Sequence, residues 1–112
     1  MTTTPTLTVS HGPVDATGQL LHEGDLTAQL ALAVTNLEAA LADHGLGWVD
    51  VTDLRIRTTD PDGLALVLDT LAERFAESGA APVVSVAPAP SLALPGMAIA
   101  LTAAVTSAAD VP

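Results

Sequence analysis

The chain has 112 residues and sets thirteen carboxylates against three arginines and no lysine, a formal net charge of −10. That balance excludes nucleic acid as a partner, since phosphates must be neutralised by Lys and Arg, and it weighs against anionic membrane surfaces in the same way. The absence of cysteine excludes a disulfide framework, a thiolate nucleophile and a Cys-based metal site.

One domain over residues 1–112 is expected at this length, with 1–6 flexible and 106–112 a tail. The first ten residues, MTTTPTLTVS, have no basic stretch and no apolar core, so the expected location is cytoplasmic. Leu7-Thr8-Val9-Ser10 alternates as a short strand. After turn residues at His11-Gly12-Pro13 and Asp15 to Gly18, a second strand near Gln19 to His22 would complete a hairpin. Leu26, Leu30, Ala33, Leu37, Ala40 and Leu41 then repeat at helical spacing, with Asp25 placed as N-cap and Gly45 as the left-handed residue that ends the helix. A strand follows over Val49 to Thr58, with Thr52, Leu54 and Ile56 on one face and Val51, Asp53, Arg55 and Arg57 on the other. Asp60-Pro61 opens a second helix whose buried stripe is Leu64, Val67, Leu68, Leu71 and Phe75 and whose end is Gly79.

Between Glu77 and Asp110 no side chain is ionisable. Pro82, Pro88, Pro90, Pro95 and Gly96 cut this run into pieces too short for the roughly 20 apolar residues of a bilayer crossing. Its aliphatic and β-branched content, from Val83 to Val86 and from Met97 to Val105, also argues against disorder. Two buried strands joined by a Pro-rich connection are predicted. The order ββαβαββ defines an α+β sandwich of two layers, a mixed sheet with both helices on one face. The other face needs a cover, and another subunit is a candidate.

The chemistry-bearing residues are few. His11, His22 and His44 are too widely spaced for a metal motif, and neither a metal nor a cofactor is expected. His11 lies at a strand end before Gly12-Pro13 and reads either as a solvated loop residue or as a site residue. His44 is placed to complement the negative end of the first helix. Arg55 and Arg57 could grip a carboxylate, but pairing with Asp53 and its neighbours, within or between subunits, is the preferred reading. Ser10 and Ser85 have no His–Asp arrangement near them in sequence.

In order and spacing, the chain resembles the Rid/YjgF family, the reactive intermediate deaminases. The resemblance rests on Ser10 at the end of the first strand, the Asp15 to Gly18 turn, Gly24-Asp25, Gln29, Asn36-Leu37, Leu41, Gly45, Val49-Asp50-Val51, Thr59-Asp60, Phe75, Pro82 and the alternating last strand, over residues 7–105. It implies a chorismate-mutase-like fold and a homotrimer with inward-turned sheets and clefts between subunits. It also implies hydrolysis of 2-imino acids, with an Arg of a Pro-Ala-Arg-Ser motif holding the substrate carboxylate. Here that stretch reads Pro82-Val83-Val84-Ser85, and the last strand reads Met97-Ala98-Ile99-Ala100 where the family usually carries Glu. A family Asn on the second helix corresponds to Leu68.

These departures remove the charges of a deaminase cleft. The expected function is a homotrimer binding a small neutral or apolar metabolite, an imine- or enamine-type intermediate among them, without the usual deaminase activity. The expected cleft residues are Ser10, Gly12, Leu68, Val84, Ser85, Val86, Ala98 and Ala100, with His11 as the acid/base candidate. The alternative is a non-catalytic scaffold or regulatory partner of another enzyme, for which an acidic exterior would suit a basic partner.

Overall fold

The structure is a computed structural model that describes residues 7–105; the flexible start and the tail expected at 1–6 and 106–112 lie outside them. Its elements are β1 (Leu7–His11), α1 (Leu26–Asp43), a 3-10 turn (Trp48–Asp50), β2 (Val51–Thr58), α2 (Pro61–Ser78), β3 (Val83–Pro88) and β4 (Ile99–Val105). The strands stand in the order β1-β4-β2-β3. β4 is antiparallel to both its neighbours, while β2 and β3 are parallel, joined through α2. The result is the expected two-layer α+β sandwich with a mixed sheet.

The helices begin and end where the sequence provides caps. Asp25 Oδ1 accepts from Ala28 N at 3.0 Å, and Asp60 Oδ1 accepts from Gly63 N at 3.0 Å with Pro61 as first helical residue. Gly45 and Gly79 both take φ 73°, the left-handed conformation that lets the chain turn away. His44 Nδ1 lies 3.0 Å from Ala40 O, at the carbonyl-rich end of α1.

The core fills the space between helices and sheet. Leu30, Ala33, Val34, Leu37 and Leu41 of α1, with Leu64 and Leu71 of α2, pack onto Leu54, Ile56, Ile99, Leu101 and Ala103 of the sheet. Trp48 closes one end, edge-on to Phe75 with centroids 5.0 Å apart, and its Nε1 donates to Glu38 Oε2 at 2.6 Å. Glu38 in turn pairs with Arg74 at 3.3 Å.

Three expectations need correction. The opening hairpin shrinks to a single bridge between Val14 and Leu20. Asp15 Oδ1 gathers Thr17 Oγ1 at 2.6 Å, Thr17 N at 2.8 Å and Gln19 N at 3.0 Å, which winds these residues into a tight turn. The Thr17 hydroxyl first, then the Gln19 N–H, hold the Asp15 carboxyl below its ordinary pKa. His22 at φ 60° and Gly24 at φ 80° then break the extended path before α1. In β2, a bulge between Val51 and Asp53 places Val51 with Leu54 and Ile56 on the buried face and turns Thr52 outward, the reverse of the simple alternation. Burial of Val51, 4% exposed, outweighs an unbroken ladder. Lastly, β3 is an edge strand beyond the cover of the helices, and Val83, Val84 and Val86 are exposed within the subunit.

Two buried polar side chains fix the entry to β4. Gln29 donates to His22 O and Gly96 O at 3.1 Å each and accepts from Ala98 N at 2.7 Å. Thr58 Oγ1 donates to Ala98 O at 2.8 Å and accepts from Asp60 N at 3.0 Å. Removing Gln29 would strand those partners without hydrogen bonds, a penalty of about 1–3 kcal/mol for a buried group. Gln29→Ala is therefore expected to lower the unfolding free energy by about 3 kcal/mol in a urea titration. A loss below about 1 kcal/mol would show that water replaces the side chain.

Candidate functional site

The sheet face turned away from the helices is set by strand register. Arg55 lies opposite Thr102 of β4 on one side and Ser85 of β3 on the other, and Ser10 of β1 lies beyond Thr102. One residue pair further along, Arg57 lies between Ala100 and Ala87. Ser10 and Thr102 join their hydroxyls at 2.9 Å. Small side chains at Ala100, Thr102 and Ala104 leave this face open above β4, and Asp53 is its one carboxylate among the described strand residues.

Arg55 and Arg57 are exposed, and among the described residues neither has a carboxylate within ion-pair distance; the ion pair that forms is Arg74 with Glu38. The pairing of Arg55 and Arg57 with Asp53 expected from the sequence is not made within the subunit.

Arg57 opens onto a cavity of about 200 Å³ lined also by Ser10, His11, Gly12, Ala93, Met97, Ala100, Leu101 and Thr102. Each lining residue has a local reason for its place. β1 runs on to His11, one residue beyond the expected strand, pairing it with Leu101. Gly12 O accepts from Asn36 Nδ2 at 2.9 Å, which anchors the chain leaving β1 on α1. A Cβ at Gly12 would come within 3.0 Å of Met97 Cε, so glycine allows the methionine to pack beneath the cavity floor. A second hollow, about 570 Å³, is formed by Thr59 and the loop from Pro90 to Met97. A third, about 620 Å³, runs between His11, Val14, Asp15 and α1, where it meets Asn36 and Asp43. Among the described residues no three His, Asp or Glu side chains gather as a metal site. Nor is any described helix long and apolar enough to cross a membrane.

The structure divides the sequence-predicted site. Ser10, His11, Gly12 and Ala100 meet at the Arg57 cavity, and Ser85 shares the open face on β3, the strand next to that of Arg57. Val84 and Val86 pair with Leu54 and Ile56 and so face the helix layer, where Leu68 of α2 packs against the core. Ala98 sits at the start of β4 with its backbone N–H and carbonyl engaged by Gln29 and Thr58. Arg57, offered by the sequence as a carboxylate grip but not among the expected cleft residues, lines this cavity with them. Its signal was present, an arginine on the polar side of a strand whose other side is Leu54 and Ile56, but which strand would lie beside it was not.

Two helices on one face of a four-stranded mixed sheet place the chain in the chorismate-mutase-like class of α+β folds. Within that class the chain belongs to the Rid (YjgF) family: the family described as Endoribonuclease L-PSP matches residues 1–106. Among solved structures, YyfB from Yersinia pestis, of the conserved Rid protein family, is 27% identical with a TM-score of 0.78, covering 92% of this chain and 80% of its own. The YjgF gene product from E. coli is 24% identical with a TM-score of 0.74, covering 88% of this chain and 76% of that one. E. coli TdcF, solved with bound serine, is 22% identical with a TM-score of 0.76, over 89% and 78% of the two chains. No curated protein sequence matches the chain.

Proposed function

We propose that this Rid-family chain acts as a homotrimer that binds a small anionic metabolite on its open sheet face, and that it lacks the usual 2-imino acid deaminase activity. The observation that carries the reading is Arg57, unpaired among the described residues of its own subunit and lining one cavity with Ser10 and His11. The expectation of a neutral or apolar ligand rested on the lack of any cation after Arg74. β2 precedes that point in sequence, yet lies beside β4 in space. A guanidinium flanked by hydroxyls suits a carboxylate, to which it donates in a bidentate fork.

Binding an anion does not by itself hydrolyse an imine. The cavity's lining contains no carboxylate to take a proton from water, and Ala98 and Ala100 stand where the resemblance expects Glu. His11 is the lining residue whose side chain can serve as acid or base, so any imine or enamine chemistry falls to it. The family's ribonuclease description is not carried over, because three arginines cannot hold an RNA backbone against thirteen carboxylates.

Purified protein is expected to leave the hydrolysis of 2-iminobutanoate, generated in situ, at its spontaneous rate; robust acceleration in that coupled assay would reject the reading. Light scattering is expected to give a mass three times the 11.2 kDa of one chain, and a single-chain mass would remove the trimer. Arg57→Gln should weaken binding of a small carboxylate probe such as 2-oxobutanoate at least about tenfold, the loss of one charge-assisted contact. Unchanged affinity in a calorimetric titration would move the site elsewhere.

A further inference from the structure

The Arg57 cavity and the hollow of the 90–97 loop adjoin, since Ala93 and Met97 stand in the walls of both. They differ in charge. The first offers Arg57 with the hydroxyls of Ser10 and Thr102, while the second has no ionisable side chain and sets Pro90, Leu92, Leu94 and Pro95 beside the hydroxyls of Thr59 and Ser91. Leu92 and Leu94 are only half-buried, although their loop is tied down at Gly96 and Ala98 by Gln29 and at Met97 N by Leu94 O. The residues between the two hollows put little in the way. Ala93 is small and exposed, and Met97 is an unbranched thioether that can change rotamer without leaving the apolar floor.

Volume points the same way. About 200 Å³ at Arg57 is below the usual range of ligand pockets, roughly 300–1,000 Å³, whereas about 570 Å³ in the adjoining hollow lies within it. A ligand confined to the cation would fill only the smaller space.

We propose that the ligand is an amphiphilic monocarboxylate, with its charged group on Arg57 and Ser10 and its hydrocarbon chain passing Met97 and Ala93 into the hollow lined by Leu92 and Leu94. This rests on the reading of the Arg57 cavity as the ligand site. It gives a role to the charge-free loop, whose half-exposed leucines cover no part of the subunit's own core.

Straight-chain carboxylates from butanoate to decanoate, titrated calorimetrically into the full chain, test the proposal. Affinity is expected to rise roughly two- to fourfold per added methylene as the chain leaves water. Ala93→Trp, in the wall between the two hollows, should flatten that rise, read as the slope of affinity against chain length, and Arg57→Gln should weaken every member of the series. Butanoate bound through Arg57 with no gain along the series would overturn the amphiphile and leave the cavity in place. A rise untouched by Ala93→Trp would also overturn it, because the chain would then lie elsewhere. Absence of binding at every length, or binding indifferent to Arg57→Gln, would remove the site and the proposal together.

Discussion

The hold on Ala98 decides the geometry of the open face. Its N–H goes to Gln29 from the helix layer, and its carbonyl accepts from both Thr58 Oγ1 and Thr59 N at the end of β2. These bonds fix the residue at which β4 begins, and a strand's side-chain period of two leaves no freedom after that. Ile99, Leu101 and Ala103 must face the helices, so Ala100 and Thr102 must lie opposite Arg57 and Arg55. A slip of one residue would bury Ala100 and Thr102 and put Ile99 and Leu101 beside the arginines. The buried Gln29 and Thr58 therefore act on the cavity without touching it.

The local charge is as constrained as the backbone. A chain of net charge −10 repels anions at long range, but fields between exposed groups fade beyond about 8 Å at physiological salt. Asp62, Asp69, Glu73 and Glu77 belong to α2, in the other layer of the sandwich from the face that carries Arg57. The cavity can thus remain cationic on an acidic protein. A carboxylate at position 100 would sit directly across the strand from Arg57 and neutralise it, whereas alanine leaves the guanidinium free.

Much of the fold was legible because its signals are local. Asp25, Asp60, Gly45 and Gly79 mark helix ends by the hydrogen bonds or backbone angles those residues allow, and the stripes of Leu30 to Leu41 and Leu64 to Phe75 report the face that packs. The missing hairpin strand and the bulge at Val51 were not legible, since one depends on which partner Asp15 prefers and the other on how much burial Val51 gains. The candidate site was legible in part: of the residues expected in the cleft, Ser10, His11, Gly12 and Ala100 line the Arg57 cavity, while Val84 and Val86 lie on the helix side of the sheet. The sequence offered Arg57 as a carboxylate grip but not as a neighbour of the other lining residues, because those come from β1, β4 and the 90–97 loop, and strand order cannot be read from local sequence.

β3 has one more property that follows from its position. An edge strand of exposed valines is a template on which another extended chain can add itself through unpaired backbone groups. Here the template is short, because Pro82 precedes Val83 and Pro88 ends the strand. Proline has no N–H to offer, so the outward donors of this edge are confined to alternate residues between Val83 and Ala87, the others being directed at β2. With no lysine available to serve as a gatekeeper on this edge, two prolines take over that task, and the chain keeps a cohesive apolar margin without an open-ended one.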